Sequence, residues 1–561
     1  MIKAPAVLRK YDVLQRLVLP LLLLGISAIL IILAPIFPGL LWGLVVTGPL
    51  LLLSVYDFFQ AGHTLMRNYP LLARVRWLFE DLRPYLRSYI VEGDLEGRPF
   101  DRDSRALVYA RAKNEPSVHP FGTELDIYSE EYEWLSHSIA PNENVPRDFR
   151  VTVGTTDCKQ PYSSSIFNIS AMSFGALSAH AIEALNLGAK KGGFYHDTGE
   201  GSVSPYHEKH GGDLVWELGT GYFGCRTPEG AFDPHKFADK AQHDQIKMIE
   251  IKLSQGAKPG HGGMLPGAKV SAEIARTRDV PQGQDCISPP AHRAFSTPRG
   301  LIQFVQQLRE LSGGKPVGFK LCIGRPHEVF AIMKAILDTG ILPDFIVVDG
   351  GEGGTGAAPV EMSDRLGMPL KEGLILLRNA LVGTGLKERV RLAAAGKVYS
   401  ASGIAVNAAL GADWSNAARA FMFSLGCVQS MQCHTGKCPT GIATQDAWRQ
   451  RGLVIPEKAE RVYNFHRNTV ATLREIVVAM GLSQPGDIQP HDLHQRLNFA
   501  EMRSIDRIYP FLERNILLED PGSSHYADWW AAADADTFRP VREISPQRRL
   551  DQDRLGENRR G

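Results

Sequence analysis

At 561 residues the chain exceeds the ~250 residues of a single barrel domain, so a large enzyme core with accessory segments is expected. Its 62 Lys and Arg against 61 Asp and Glu leave no net field to draw nucleic acid or an acidic partner, and nucleic-acid binding is not expected. The seven cysteines, odd in number and with three crowded between Cys427 and Cys438, argue against the disulfide framework of a secreted protein and for reduced thiols in the cytoplasm.

In chain order, residues 1–60 come first. From Leu17 to Tyr56 no residue is charged, and the run is broken only by Ala34-Pro35-Ile36-Phe37-Pro38-Gly39. A bilayer core takes ~20 apolar residues per helix, which predicts a two-helix transmembrane hairpin with spans near 17–34 and 38–56. Lys3, Arg9, Lys10 and Arg16 precede it and Arg67, Arg74 and Arg76 follow it, so both flanks are expected on the cytoplasmic side of the inner membrane. A cleaved signal peptide fits less well, because there are two spans and no clear small-residue cleavage site. A buried helical hairpin is the other alternative. Neither span holds an ionisable residue, so an anchor is expected rather than a transport path.

Residues 61–150, rich in Arg, Glu, Tyr and Pro with a helical stretch near Leu71–Leu86, read as a connecting and packing region. From about Phe149 short apolar runs ending in Gly, Ser or Asp alternate with helical stretches, the pattern of a β/α fold. The strand-like runs are 166–175, 193–201, 248–256, 317–324, 345–351, 390–396 and 417–422, with an eighth expected near 410–414 or entering Cys427. Seven or eight units favour a (β/α)8 TIM barrel over 151–445, with chemistry at the strand ends. Residues 446–561 read as a helical extension with a polar tail after Arg542.

The sharpest motif is Cys427-Val-Gln-Ser-Met-Gln-Cys433-His-Thr-Gly-Lys-Cys438-Pro439. Three thiols at this spacing suit an iron-sulfur cluster, and three ligands rather than four point to 3Fe-4S. Zinc with His434 as fourth donor is the competing metal, although adjacent Cys433 and His434 are poorly placed to share one tetrahedral ion. Gly350, Gly351, Gly353, Gly354 and Gly356 follow a strand ending in Asp349, where backbone amides can approach an anion or a flat ring; a flexible loop is the plain alternative. No G-x-G-x-x-G opens a Rossmann unit, so electrons are expected from another protein.

The segment GCVQSMQCHTGKCPTGIATQD from Gly426 resembles the cluster-binding segment of glutamate synthases. So, in the same order, do Ser170-Ala-Met-Ser-Phe-Gly175, Thr198-Gly-Glu-Gly201, the run IKLSQGAKPGHGGMLP from Ile251, Ile287-Ser-Pro-Pro290 and DGGEGGTGAAP from Asp349. The resemblance covers roughly 150–445 and implies an FMN-binding synthase domain with a 3Fe-4S cluster. It implies that Ser170, Ala171, Met172 and Ser173 and the glycines after Asp349 face FMN, and that Gln255, Lys258 and Arg278 hold 2-oxoglutarate, a dicarboxylate suited to one amide and two cations. Glu200, in the T-G-E-G match, is expected to handle protons near an imine. Lys320, on an apolar strand, is expected to offset the charge of a reduced flavin. In place of a late D-G-G-x-R-T-G the chain has Ala394-Ala395-Gly396-Lys397-Val398, leaving Gly396 and Lys397 as candidate phosphate ligands.

A complete glutamate synthase carries an amidotransferase domain with an N-terminal cysteine, whereas no cysteine precedes Cys158 here. The resemblance therefore implies reductive amination of 2-oxoglutarate with ammonia or a separate amidotransferase subunit as nitrogen source. The electron donor is expected to be a ferredoxin-like or membrane redox protein. Two alternatives stand beside it: the same cofactors acting on another amine or keto acid, and a membrane-tethered electron-transfer subunit with no amino-acid product.

Overall fold

The computed structural model describes residues 6–544, with side chains from residue 17 onward. Lys3 thus lies outside the described residues, as do the side chains of Arg9, Lys10 and Arg16 and the tail from residue 545. The chain divides into two compact units, Met1–Arg102 and Asp103–Gly561.

In the first unit, helix α1 (Ala6–Leu33) turns through Ala34–Phe37 and a 3-10 turn (Pro38–Gly43) into helix α2 (Leu44–Phe59). Pro38 sits where its missing N–H costs nothing. The two limbs meet at Ser27 Oγ, which donates to Thr47 Oγ1 at 3.1 Å. A helical hairpin is therefore present, with apolar side chains turned outward; Ile32, Trp42, Leu52 and Phe59 are all exposed. Of the two expected spans, the limb Pro38–Phe59 has the length (22 residues) and mean hydropathy (1.8) to cross a membrane, while the apolar part of α1, Leu17–Leu33, is shorter. Asp57 ends the apolar run buried, its carboxylate taking Arg74 Nη2 at 2.7 Å and the Leu71 N–H at 3.1 Å, and so ties α2 to helix α3 (Leu72–Leu86).

The second unit opens with helix α4 (Arg102–Lys113) and is built on a closed barrel of eight parallel strands. They are β1 (Phe167–Ile169), β2 (His196–Asp197), β3 (Leu214–Leu218), β4 (Ile246–Lys252), β5 (Val317–Leu321), β6 (Phe345–Asp349), β7 (Arg391–Ala395) and β8 (Trp414–Ala417), and β8 pairs with β1 to close the ring. Two of the expected strands need correction. The run 417–422 holds only the last residue of β8 and then becomes helix Arg419–Leu425, whose Ala420, Phe421, Phe423 and Leu425 are buried, so tertiary packing overrides strand propensity. The run near 410–414 reaches β8 only at its first residue, Trp414, and the strand that completes the eight is β3, whose Glu217 interrupts the apolar run yet is buried with every neighbour.

Inward side chains at early strand positions, among them Val215, Met248, Phe345, Ala393 and Trp414, form a packed plug with Val153 and Tyr162 of the hairpin that precedes β1. That end of the barrel is filled, which leaves the opposite, C-terminal end for chemistry. Between β4 and β5 lies helix α5 (Ala272–Arg278), whose last residue reaches that end. Residues 103–150 do more than connect: Glu133–Leu135 pairs with Leu493–Arg496 of the C-terminal extension in a three-stranded sheet. The extension's long helix α6 (Ile455–Ala479) crosses helix Ala179–Gly192 so tightly that a Cβ on Gly188 would stand 2.6 Å from Val462.

At the filled end, Asp344 is wholly buried and accepts from Arg309 Nη2 at 2.9 Å, the Val317 N–H at 2.8 Å and the Thr155 N–H at 2.5 Å. Removing one member of such a pair strands the other charge in the core. Asp344→Ala is expected to destabilise this unit by about 3–5 kcal/mol, read as a lowered urea midpoint, whereas a surface pair such as Arg514 with Glu388 is expected to cost under about 1 kcal/mol.

Candidate active site

The ends of β1 to β4 bring together one carboxylate and three cations. Glu200 follows β2, and its Oε2 takes a salt bridge from Lys252 Nζ, at the end of β4, at 3.0 Å. Burial alone would raise the Glu200 carboxyl, but Lys252, Arg278 and Lys258 outweigh it and hold the group below its ordinary value, so it stays ionised. Arg278, buried at the C-terminus of α5, reaches under the Ser170–Ser173 turn: its Nη2 donates to Phe174 O at 3.0 Å and to Ser173 Oγ at 3.3 Å. Its buried Nε has no partner. Lys258 Nζ lies 3.4 Å from Ala357 O, in the glycine-rich loop after β6, and burial pulls its pKa down. Three cations around one carboxylate leave two positive charges in excess, which is the charge complement of a dicarboxylate.

Of the expected substrate residues, Lys258 and Arg278 thus converge, and Gln255 sits on the same segment with its carbonyl accepting the Lys258 N–H at 3.3 Å. Lys252 is a site residue that the sequence did not single out, because a lysine closing a strand reads as an exposed end. His292 supports it, with Nε2 2.8 Å from Lys252 O and Nδ1 3.0 Å from the Tyr222 hydroxyl. Burial holds the His292 pKa down to about 4, so the ring is neutral.

Lys320 lies elsewhere. It pairs in register with Lys252, but its ammonium is buried against Glu217, 2.8 Å from Glu250 Oε1 and 3.9 Å from Asp197 Oδ2. The charge expected to face a flavin thus sits among three carboxyl groups from β2, β3 and β4. Burial, opposed by Lys320 and reinforced by Glu217, pushes Glu250 up to about 7, and Asp197 is also raised well above its ordinary range. An acid whose folded pKa is raised holds its proton longer folded than unfolded, so its contribution to stability falls as pH climbs from its ordinary range through about 7. Glu250→Gln is expected to melt at increasingly higher temperature than wild type across that window and to show a constant difference above it, checked by melts in a pH series.

The glycine-rich loop is a cradle rather than a loose loop. A Cβ on Gly256 would meet Gly350 O at 1.7 Å, one on Gly354 would meet the Arg419 guanidinium at 2.9 Å, and one on Gly350 would meet Leu370 at 2.5 Å. Asp349 Oδ2 accepts the Gly256 N–H at 2.8 Å, locking the segment after β4 to the loop after β6. Gly351 and Gly353 are held by their N–H bonds to Met368 O and Gly350 O, both at 2.8 Å. Ser170, Ala171, Met172 and Ser173 cap β1 beside β2, with Met172 N–H 3.4 Å from Asp197 O. Gly396, at φ +144°, and Lys397, at φ +53°, turn the chain after β7 toward helix Ala401–Ala409, whose first turn Ser400 caps. Gly396 comes within van der Waals reach of Gly350 N, so the two glycine segments face each other. Arg419, after β8, adds a cation that the sequence did not reveal.

The three cysteines form one group. Each sulfur lies within electrostatic reach of the others, yet among the described residues they do not fall within the 4.8 Å that would let them share a single ion. Tetrahedral Zn–S bonds of ~2.3 Å would demand sulfurs about 3.8 Å apart. Three soft thiolate donors brought together in this way fit an iron-sulfur centre chemically. Burial would raise the Cys438 thiol, but the backbone N–H groups of Ala443, Thr440 and Ile442 and the Thr440 hydroxyl hold it below its ordinary value, a nest built for a thiolate. Cys427 is pushed up to about 12 by burial, and its carbonyl accepts from the Tyr109 hydroxyl of α4. A Cβ on Gly356 of the cradle would stand 3.5 Å from Cys433 Cβ, so the cradle and the cysteine loop are neighbours.

A closed parallel barrel with its polar groups gathered at the C-terminal strand ends defines an enzyme. The chain belongs to the glutamate synthase family, oxidoreductases acting on the CH–NH2 group of donors: the model of the conserved region in glutamate synthase matches residues 122–483. The glutamate synthase large subunit-like protein YerD of Bacillus subtilis is 34% identical over 81% of this chain and 94% of its own length. The archaeal glutamate synthase [NADPH] of Archaeoglobus fulgidus is 34% identical over 56% of this chain, which spans 58% of that relative. The flavin-binding domain of baker's yeast flavocytochrome b2 overlays 80% of this chain and 92% of its own at 11% identity, with a TM-score of 0.40.

Proposed function

We propose that this chain reductively aminates 2-oxoglutarate to glutamate, with FMN at the barrel mouth and a 3Fe-4S cluster on Cys427, Cys433 and Cys438. The observation that carries this reading is the excess of two positive charges around Glu200 beside a glycine cradle with no room for a Cβ at Gly256, Gly350 and Gly354. FMN, when bound, supplies the hydride and the cluster supplies single electrons.

The chain's own residues do the rest. Lys258 and Arg278 bind the two carboxylates, with Gln255 as amide donor, and orient the keto carbon toward the cradle. Lys252 holds Glu200 ionised beside the substrate, where the carboxylate accepts a proton as amine and ketone condense and returns one to nitrogen as the imine is reduced. Lys320 and Lys252, side by side in register on β5 and β4, would offset charge on a reduced ring. The glycines after Asp349 and the turn Ser170–Ser173 would hold the flavin and exclude water from it. For the phosphate, Gly396, Lys397 and Arg419 occupy the loops after β7 and β8, where such barrels bind phosphate.

Ammonia or a separate amidotransferase supplies nitrogen, and a ferredoxin-like or membrane redox protein supplies electrons. The hairpin of α1 and α2 tethers the chain to the cytoplasmic membrane with the barrel in the cytoplasm; the outward apolar side chains and Arg67, Arg74 and Arg76 after α2 support that placement. Deleting residues 1–60 is expected to move the chain from the membrane to the soluble fraction, and an unchanged distribution on fractionation would mean that the hairpin is not a tether.

The test of the reaction is product formation. Full-length protein in detergent with a chemical reductant, 2-oxoglutarate and isotopically labelled ammonium is expected to yield labelled glutamate by mass spectrometry. Turnover of another keto acid or amine in its place would shift the reading to an N-substituted relative, and cofactor reduction with no amino-acid product would favour an electron-transfer subunit.

A further inference from the structure

One segment joins the anion pocket to the cysteine loop. Between Lys258 and Arg278, which stand around Glu200, lies Lys269, whose side chain ends on the cysteine loop. Its Nζ donates to Cys433 O at 2.9 Å, the residue is only 9% exposed, and its electrostatic partners are the Cys433 and Cys438 sulfurs. The backbone fixes it there. Gly267–Lys269 is a 3-10 turn, the Gly267 N–H is held by Asp285 Oδ1 at 2.7 Å, and Met264–Leu265 pairs with Cys286–Ile287. Two residues on, Ser271 Oγ caps α5 by accepting the Ile274 N–H at 3.3 Å, and α5 delivers Arg278.

A buried ammonium aimed at two thiols has one of two uses: it neutralises them while they are bare, or it sets the electrostatics of the centre they hold. A centre on three thiolates is net negative, and reduction adds a further negative charge. A cation held in a buried, low-dielectric site stabilises the reduced form more than the oxidised one, which raises the reduction potential. Lysine suits this better than arginine would in packing terms, because a compact ammonium can approach a single carbonyl and leave its charge toward the sulfurs.

We infer that Lys269 is a positioning residue that raises the reduction potential of the three-cysteine centre and fixes the Cys433 arm of its loop. This inference rests on the 3Fe-4S reading above. It gives the substrate-side segment a second role, in which the same stretch that binds the keto acid also makes the cluster a better electron acceptor from the donor protein. Nothing in substrate binding depends on Lys269 itself.

The test is an EPR-monitored potentiometric titration of full-length protein, wild type against Lys269→Met and Lys269→Arg, with iron and acid-labile sulfide measured in each. Lys269→Met is expected to keep the wild-type iron and sulfide content and to titrate at a more negative midpoint, with 2-oxoglutarate affinity unchanged. Lys269→Arg is expected to stay close to wild type. A Lys269→Met midpoint equal to that of wild type overturns the inference, as does a Lys269→Arg midpoint as low as that of Lys269→Met. Should Lys269→Met lose its cluster, Lys269→Gln, which keeps a donor for Cys433 O without charge, decides the matter: a lowered midpoint supports the inference and an unchanged one overturns it. A wild-type chain without iron and sulfide overturns both the cluster reading and the inference, which separates that failure from a midpoint that ignores Lys269.

Discussion

Lys258→Met is expected to lower kcat/KM for 2-oxoglutarate about a thousandfold while leaving the flavin bound. The effect is electrostatic. Lys258, Lys252 and Arg278 surround Glu200, and the pocket's excess of two positive charges falls to one when Lys258 is lost. Truncating one partner of a buried charge-assisted pair costs about 2–5 kcal/mol, and each 1.4 kcal/mol is tenfold, so about one and a half to three and a half orders of magnitude follow, with a thousandfold inside that range. Because the lost interaction is with the ground-state carboxylate, most of the effect is expected in KM; steady-state kinetics with varied 2-oxoglutarate check it. A fall confined to kcat would mean that Lys258 acts on the chemistry instead. The tight approach of Gly263 to Glu200, where a Cβ would stand 2.1 Å from Oε1, indicates that this pocket is shaped around the carboxylate and will not refill with water without loss.

Cys438→Ser is expected to bring cluster iron to background and to cut turnover with a protein electron donor by more than about a hundredfold, while dithionite-reduced flavin still reoxidises with 2-oxoglutarate and ammonium. The nest of amides from Thr440, Ile442 and Ala443 stabilises a thiolate at Cys438, and a serine hydroxyl there does not ionise or supply the soft donor that iron-sulfur chemistry needs. The two halves use different residues: Glu200, Lys252, Lys258 and Arg278 build the anion pocket, and Thr440, Ile442 and Ala443 build the thiolate nest. Iron analysis with stopped-flow reoxidation distinguishes this outcome from simple unfolding, since an unfolded variant would lose both activities.

Much of the barrel was legible because its strands are short apolar runs closed by glycine, serine or aspartate, and six of the eight lie largely within expected runs. The strand Leu214–Leu218 was not, because Glu217 makes it look amphipathic; only the barrel interior shows that Lys320 and Glu250 receive that carboxylate. The same physics hid the true situation of Lys320. From sequence it is a cation on an apolar strand, but its three partners lie on three other strands, and register across a closed barrel is not written in any local pattern. Glu200, Lys258 and Arg278 could be named from motif resemblance, whereas their convergence with Lys252 depends on the close pairing of the β2 and β4 loops. Lys269 and Arg419 carried no local signal at all. Each acts through a loop that is distant in sequence, at Cys433 and at Glu352 respectively.

Whether the cationic pocket and the cradle serve one reaction is tested most directly by anaerobic stopped-flow reoxidation of the reduced full-length protein, with 2-oxoglutarate and ammonium added separately and then together. Flavin absorbance is expected to return only when both are present, and in the Lys258→Met variant only at far higher 2-oxoglutarate. Reduced flavin that ignores both compounds, or that reoxidises with either one alone, would contradict a glutamate-forming reaction at this site.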